Sequence, residues 1–362
     1  MTTATETTRA AVHAGAGAPS RATVAAVATA RQAGRRRRHG VLAALTTAVV
    51  LALFLSLMVG HTFYSPSEVL GVLLGHDVPG ASFTVSRLRL PRATMALAAG
   101  LAFGMGGVTF QTMLRNPLAS PDIIGISSGA SAAAMIGILV FGLSGPVLSA
   151  VAIVAGLAVA LLVYLLSYRN GVAGTRLILI GIGFGAMFDS VISYLLGRAA
   201  SWDLQEAMRW LTGSLNGSDW NQALLVLAAL AVLGPVLLGQ SRNLSLLELG
   251  DEAAASLGVR TGRTRLIAVT AAVGLVAFAT AATGPIAFVA FLSGPIAARM
   301  VGRTRSLVIP AALTGALLVL ISDLAAQYLL GTRFPVGVVT GVLGAPYLLA
   351  LIVRTNRTGG AL

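Results

Sequence analysis

Few residues in this chain could do chemistry, and most of them crowd into one stretch. Residues 87–92 read R-L-R-L-P-R; a long apolar, glycine-rich run follows, and then Q-T-M-L-R-N-P-L-A-S-P-D-I-I-G-I-S-S-G-A from Gln111 to Ala130. Gln111, Arg115, Asn116 and Asp122 thus sit beside apolar segments long enough to cross a bilayer. Polar and ionisable groups at such depth are costly and mark functional positions. Asp189 and Asp323 lie inside other apolar runs. A proton- or sodium-coupled carrier would use such carboxylates. The structural alternative bonds each aspartate to nearby Ser190, Ser193 or Ser322 inside a helical bundle. A charge relay would want a deep arginine or histidine partner, and the apolar runs offer none.

The missing residue types exclude whole chemistries. All 25 basic residues are arginine; lysine and cysteine are absent. A phosphate-binding loop needs its lysine, so the chain is no such nucleotidase by itself. It can form no Schiff base, thiol nucleophile, disulfide or thiolate metal site. The histidines, His13, His39, His61 and His76, all precede residue 87. The main body therefore has no imidazole for haem, zinc or acid–base work, and no metal or cofactor is expected. The net charge of +13 would suit nucleic acid, but its distribution follows cytoplasmic loops instead.

These residues must be positioned by membrane-spanning helices. Apolar residues make up 56% and charged ones 10%, against about a quarter charged in soluble domains, so the chain is an all-α polytopic membrane protein. Residues 1–38, Ala/Thr/Gly-rich and ending in Arg35–Arg38, have the composition of a disordered cytoplasmic tail. The apolar stretch at 40–60 is too long for a signal core and reads as an uncleaved anchor. Apolar length places further spans at 92–113, 122–141, 146–167, 174–197, 221–239, 264–283, 284–300, 307–329 and 336–354. That makes ten in a domain covering 39–354, followed by a short tail at 355–362. The boundary at 283–285 also permits one kinked helix with a re-entrant piece. With both termini inside, 19 arginines fall on the cytoplasmic side and 6 outside, as the positive-inside rule requires.

Between the spans, residues 201–220 are amphipathic and hold Trp202, Trp210 and Trp220, which suits a short helix on the outer membrane surface. Residues 243–262 form a polar cytoplasmic loop. In it Gly250 and Gly258 bracket an alanine-rich turn of helix headed by Asp251 and Glu252, acidic residues that complement the helix dipole. The spacings Gly100/Gly104, Gly125/Gly129 and Gly181/Gly185 suit close helix packing. Pro117 and Pro121 break any helix there, while Asn116 and Ser120 can cap the exposed backbone.

From about 42 to 353 the chain resembles the permease family of bacterial ABC importers for iron chelates and vitamin B12. The resemblance rests on R-L-P-R at Arg89–Arg92, Gln111 followed by R-N-P-L-A-S-P-D-I-I-G-I-S-S-G-A, and W-L-T-G-S-L at Trp210–Leu215. L-G-D-E-A-A-A-S-L-G at Leu249–Gly258, G-P-I-A-F-V-A-F at Gly284–Phe291 and F-P-V-G-V-V-T-G-V-L-G-A-P at Phe334–Pro346 complete it. It implies a type II ABC importer permease that works as a dimer with an identical or sister permease, beside a separate ATPase dimer and an extracytoplasmic binding protein. It further implies that Arg89 and Arg92 dock the binding protein, an electrostatic contact that sets encounter and register. Gly250, Asp251, Glu252, Ala254, Leu257 and Gly258 would form the coupling helix held by the ATPase. Gln111, Asn116 and Pro117 are candidate pathway residues.

The chain departs from the family pattern in three places. Arg333-Phe334-Pro335-Val336-Gly337 stands for E-L-P-V-G, and Pro295-Ile296-Ala297-Ala298-Arg299 for P-H-I-x-R. Gln327 replaces an arginine that B12-type members use for docking, a charge that Arg333 would restore. D-L-A-A-Q with G-P-I-A-F is more similar to the catecholate siderophore branch, so ferric siderophore is the expected cargo, ahead of vitamin B12 or haem. Such a chelate travels intact, so the permease need not ligate iron.

Overall fold

The computed structural model describes residues 21–167, 174–302, 306–329 and 331–357. Thirteen helices account for nearly all of its regular structure: α1 (Arg21–Met58), α2 (Pro66–Leu73), α3 (Ala81–Leu114), α4 (Ile126–Leu139), α5 (Gly145–Ser167), α6 (Gly174–Leu196), α7 (Ser201–Thr212), α8 (Trp220–Leu247), α9 (Asp251–Ser256), α10 (Thr261–Thr283), α11 (Val289–Val301), α12 (Val308–Tyr328) and α13 (Val336–Arg357). Seven of them (α1, α3, α5, α6, α8, α10 and α12) are long and apolar enough to cross a membrane. The shorter apolar helices α4, α11 and α13 occupy the other three expected positions.

Helix α3 is the hub. Its most apolar window is 83% buried, against 11% for α6 at the rim. It packs on α8, α10, α11 and α12. Apolar helices gain nothing by leaving lipid for one another, so close backbone approach must hold them together. A Cβ at Gly100 would lie 2.5 Å from the Ala316 Cα, and one at Gly104 would lie 2.3 Å from the Ala311 carbonyl oxygen. Those two glycines admit α12, the packing role expected of their spacing.

Three expected boundaries are corrected. Helix α1 begins at Arg21, so 21–38 is helical rather than a disordered tail, while 1–20 lies outside the described residues. Alanine and arginine are strong helix formers, and the apolar span below supplies the nucleus. The expected span 284–300 is the 13-residue α11, preceded by the non-helical turn 284–288. Pro285 and a left-handed Phe288 (φ 63°) stop helix propagation there. At about 1.5 Å per residue α11 extends roughly 20 Å, short of the ~30 Å hydrocarbon layer. Helix α4 starts at Ile126 rather than 122, after a 3₁₀ turn (Pro121–Ile124) capped by the Ser120 hydroxyl and ended by Gly125.

Candidate functional site

Polar residues gather in three places: at the end of α3 that carries Arg92, around a central cavity, and at the opposite end beside Asp251. The Arg92 end owes its shape to Pro91. A proline there cannot donate to the carbonyl one turn back, and the helix widens into a π-turn over Thr84–Arg89. That turn directs Arg89 onto the C-terminal end of α1. Its guanidinium donates to the carbonyls of Leu57 (2.8 Å), Met58 (2.8 Å) and Thr62 (2.6 Å), and lies 4.8 Å from the Tyr64 ring centre. Arg92 forms a two-pronged ion pair with Asp323, with Nε–Oδ2 at 3.0 Å and Nη2–Oδ1 at 2.7 Å. Its remaining nitrogen donates to Asn216 Oδ1 (2.7 Å), and Gln327 Nε2 donates to Asp323 Oδ2 (2.8 Å).

This pair corrects the reading of Asp323. The carboxylate is bonded neither to Ser322 nor left for ion coupling; it is neutralised by an arginine 231 residues away in sequence. Partners so far apart in the chain cannot be paired by reading it segment by segment. Arg89 and Arg92 are therefore spoken for within the chain. Arg333, by contrast, is exposed, with Nη2 2.6 Å from His61 Nε2. Arg89, Arg92, Asp323, Gln327, His61 and Arg333 line a cavity of about 460 Å³ with Tyr64 and Tyr328.

A cavity of about 830 Å³ opens among the 3₁₀ turn, α4, α6 and the 284–288 turn. Ser120, Asp122, Ser127, Ser128, Ser131, Asp189 and Ser193 give it a polar wall; Phe288, Phe291, Ile192 and Leu348 give it an apolar one. Asp122 accepts hydrogen bonds from the Ser120 and Ser127 hydroxyls. Ser193 and Ser190 instead donate to backbone carbonyls, of Asp189 and Ala186, so neither neutralises the Asp189 carboxylate. Most of this wall was missed. The S-S-G-A-S run carried the signal: serines one helical turn apart share a face.

Gln111, Asn116 and Pro117, expected along the pathway, line a separate pocket of about 310 Å³ at the Asp251 end. Gln111 is buried, and its Nε2 donates to the Phe291 carbonyl (2.9 Å). The usual helical donor to that carbonyl would be residue 295, which is proline and has no N–H. Gln111 supplies the missing hydrogen bond across the helix interface. The fit requires glycine at 294, where a Cβ would lie 1.8 Å from Gln111 Oε1. Asn116 closes the next turn, its Oδ1 accepting from the Leu118 N–H (2.8 Å).

At this end Arg115 takes the left-handed conformation (φ 52°) that ends α3. Its Nε donates to the Leu247 carbonyl (2.8 Å), and its Nη2 pairs with Asp251. Arg265 Nη2 meets the same carboxylate at 2.9 Å. Asp251 thereby ties α9 to α3 and α10 together. Gly250 (φ 110°) and Gly258 (φ 86°) flank α9 in conformations closed to other residues. Ala254, expected at the ATPase contact, is fully buried against the bundle, whereas Glu252 and Leu257 are exposed, as is the neighbouring Leu249.

All three places are carried by a bundle whose longer helices are long and apolar enough to cross a membrane. The chain belongs to the FecCD transport family, whose model matches residues 48–354. It is 40% identical to the ferric enterobactin transport system permease protein of Escherichia coli (strain K12), over 86% of this chain and 95% of that one. It is 34% identical to the vitamin B12 import system permease protein of Serratia proteamaculans (strain 568), over 90% and 96% respectively. The fold matches a solved structure described as an inward-facing conformation of a metal-chelate type ABC transporter. The TM-score is 0.78 at 29% identity, over 87% of this chain and 99% of that chain.

Proposed function

We infer that this chain is the transmembrane permease subunit of an ABC importer that carries ferric siderophore complexes across the cytoplasmic membrane. The Arg92 end faces outward and the Asp251 end the cytoplasm, with both termini inside. A binding protein delivers the chelate to the outer cavity, where Arg333 with His61 offers the accessible cation. A second permease, identical or homologous, completes the pathway beside the central cavity, whose mixed wall suits a chelate with apolar and hydroxyl-bearing surfaces. A separate ATPase dimer grips α9. The ferric iron is cargo, wrapped in its chelator, so the pathway needs no metal ligands.

One observation carries this reading: α9 is bracketed by two glycines, presents exposed Leu249 and Leu257 at its ends, and is bolted to the hub helix through Asp251. A short rigid helix with an apolar rim is a handle, able to pass a partner's motion to α3 and α10. Replacing residues 251–257 by a glycine–serine linker should abolish ATP-driven uptake of labelled ferric siderophore while the protein still inserts and folds. Unchanged uptake, or uptake without any ATPase partner, would overturn the reading. Gln327 and the 40% identity to an enterobactin permease favour a siderophore over vitamin B12. Competition by unlabelled cobalamin would reverse that preference. Ion coupling through Asp323 is disfavoured because that carboxylate is already neutralised by Arg92.

A further inference from the structure

The family match begins at residue 48, yet α1 starts at Arg21 and carries a run of four arginines before that point. Successive residues on a helix point about 100° apart, so Arg35 to Arg38 cannot all serve one surface. They divide into two pairs. Arg37 donates to the carbonyls of Arg299 (3.1 Å) and Met300 (3.1 Å), and Arg38 to the carbonyl of Ser306 (2.9 Å). Arg299 and Met300 belong to the last turn of α11, whose final carbonyls have no helical donors and carry the negative end of the helix dipole. Arg35 and Arg36 are exposed, as is Arg31, one turn before Arg35.

The position of the exposed pair decides what it meets. The apolar part of α1, residues 41–58, is about 27 Å long at roughly 1.5 Å per residue, close to the hydrocarbon thickness. Arg35 and Arg36 follow within two turns of its end, at the depth of the lipid headgroups. Arginines there attract anionic phospholipids, each contributing on the order of 1 kcal/mol. We propose that Arg35 and Arg36 bind anionic phospholipid headgroups and so hold α1 in the register at which Arg37 and Arg38 latch the corner between α11 and α12. This rests on the membrane-permease reading only in placing α1 across a bilayer; it is independent of the cargo. Bilayer charge thereby acts on α11, the short helix whose preceding turn lines the central cavity.

The test uses the purified full chain in vesicles of phosphatidylcholine alone or mixed with phosphatidylglycerol, with unfolding followed by tryptophan fluorescence. Phosphatidylglycerol should raise the wild-type midpoint by about 2–4 °C, and high salt should remove the rise. The R35Q/R36Q variant should match the wild type in phosphatidylcholine and lose the rise, whereas R37Q/R38Q should be lowered in both lipids. A rise that survives R35Q/R36Q would overturn the proposal. So would an R35Q/R36Q variant already destabilised in phosphatidylcholine, which would make the pair a structural contact. Loss of ATPase binding in detergent by R35Q/R36Q, with the lipid effect intact, would assign the pair to a protein partner. Siderophore uptake enters none of these readouts, so failure of the transport reading is seen separately.

Discussion

The two ends of the hub helix solve the same problem in opposite ways. At the Arg92 end, one ion pair is largely buried and matched. Asp323 has 3% of its side chain exposed and Arg92 18%, and amides of Asn216 and Gln327 fill their remaining hydrogen-bonding positions. At the Asp251 end the pairing carboxylate is 45% exposed, shared between two arginines, and carried on a helix hinged by glycines. A buried pair resists the removal of either partner, whereas an exposed one is screened and easily remade. The first end is built as a fixed frame and the second as a joint.

Four changes test this contrast, the largest first. D323A strands the Arg92 charge in a nearly closed site and should cost about 3–5 kcal/mol, read as a lowered denaturation midpoint in detergent. The R92A/D323A double variant should lose less than D323A alone; an equal or greater loss would deny that the frame is a matched pair. G294A forces a methyl group onto Gln111 and should cost about 1–3 kcal/mol. Combining it with Q111A should recover part of that loss, and no recovery would assign the strain elsewhere. D251N should lower stability by no more than about 1 kcal/mol, more in low salt than in high, yet slow ATP-driven uptake. Equal damage from D251N and D323A would erase the distinction between joint and frame.

The smallest effect concerns Glu68, which caps α2 at the frame end. Hydrogen bonds from the Ser65 backbone and hydroxyl hold its carboxyl below the usual value. A depressed pKa stabilises the folded form above the unfolded value, and that contribution fades as pH falls through the folded one. Protection of the α2 amides, taken relative to their intrinsic exchange rate at each pH, should therefore fall in acid in the wild type but stay flat with pH in E68Q. A pH response that survives in E68Q would remove the carboxyl from the account.

Most of the architecture was legible because membrane helices announce themselves by length. Ten apolar segments were expected; among the described residues seven helices are long and apolar enough to cross a membrane, and three shorter apolar helices stand at the other positions. What escaped had other causes. The stretch 266–298 carries no charged residue, so hydropathy could not show that α11 begins only at Val289; the Gly-Pro at 284–285 was the single hint. The helix before residue 40 was hidden because alanine-rich polar sequence also suits disorder. The site was less legible than the fold. Arg92 and Asp323 are joined only by tertiary packing, and a reading by segments sees two isolated charges. Gln111 was marked as unusual correctly, but its job follows from a missing N–H on another helix. The Asp251 end was the most legible, because two glycines and two acidic residues in one short stretch already define a capped, bracketed helix.

The hydrogen bond between Gln111 and the Phe291 carbonyl has a kinematic consequence. A bond of 2.9 Å across a helix interface tolerates only small sliding before it fails, and the missing side chain at Gly294 is what lets the Gln111 amide lie so close to α11. Helices α3 and α11 are thus welded into one lever arm. Any rocking motion must find its axes at the arm's ends, at Gly284 before α11 and Gly302 after it, both already at positive φ. The cavity wall formed by residues 285–288 then lies next to such a turn, so a small rotation of α11 would change the shape of that cavity.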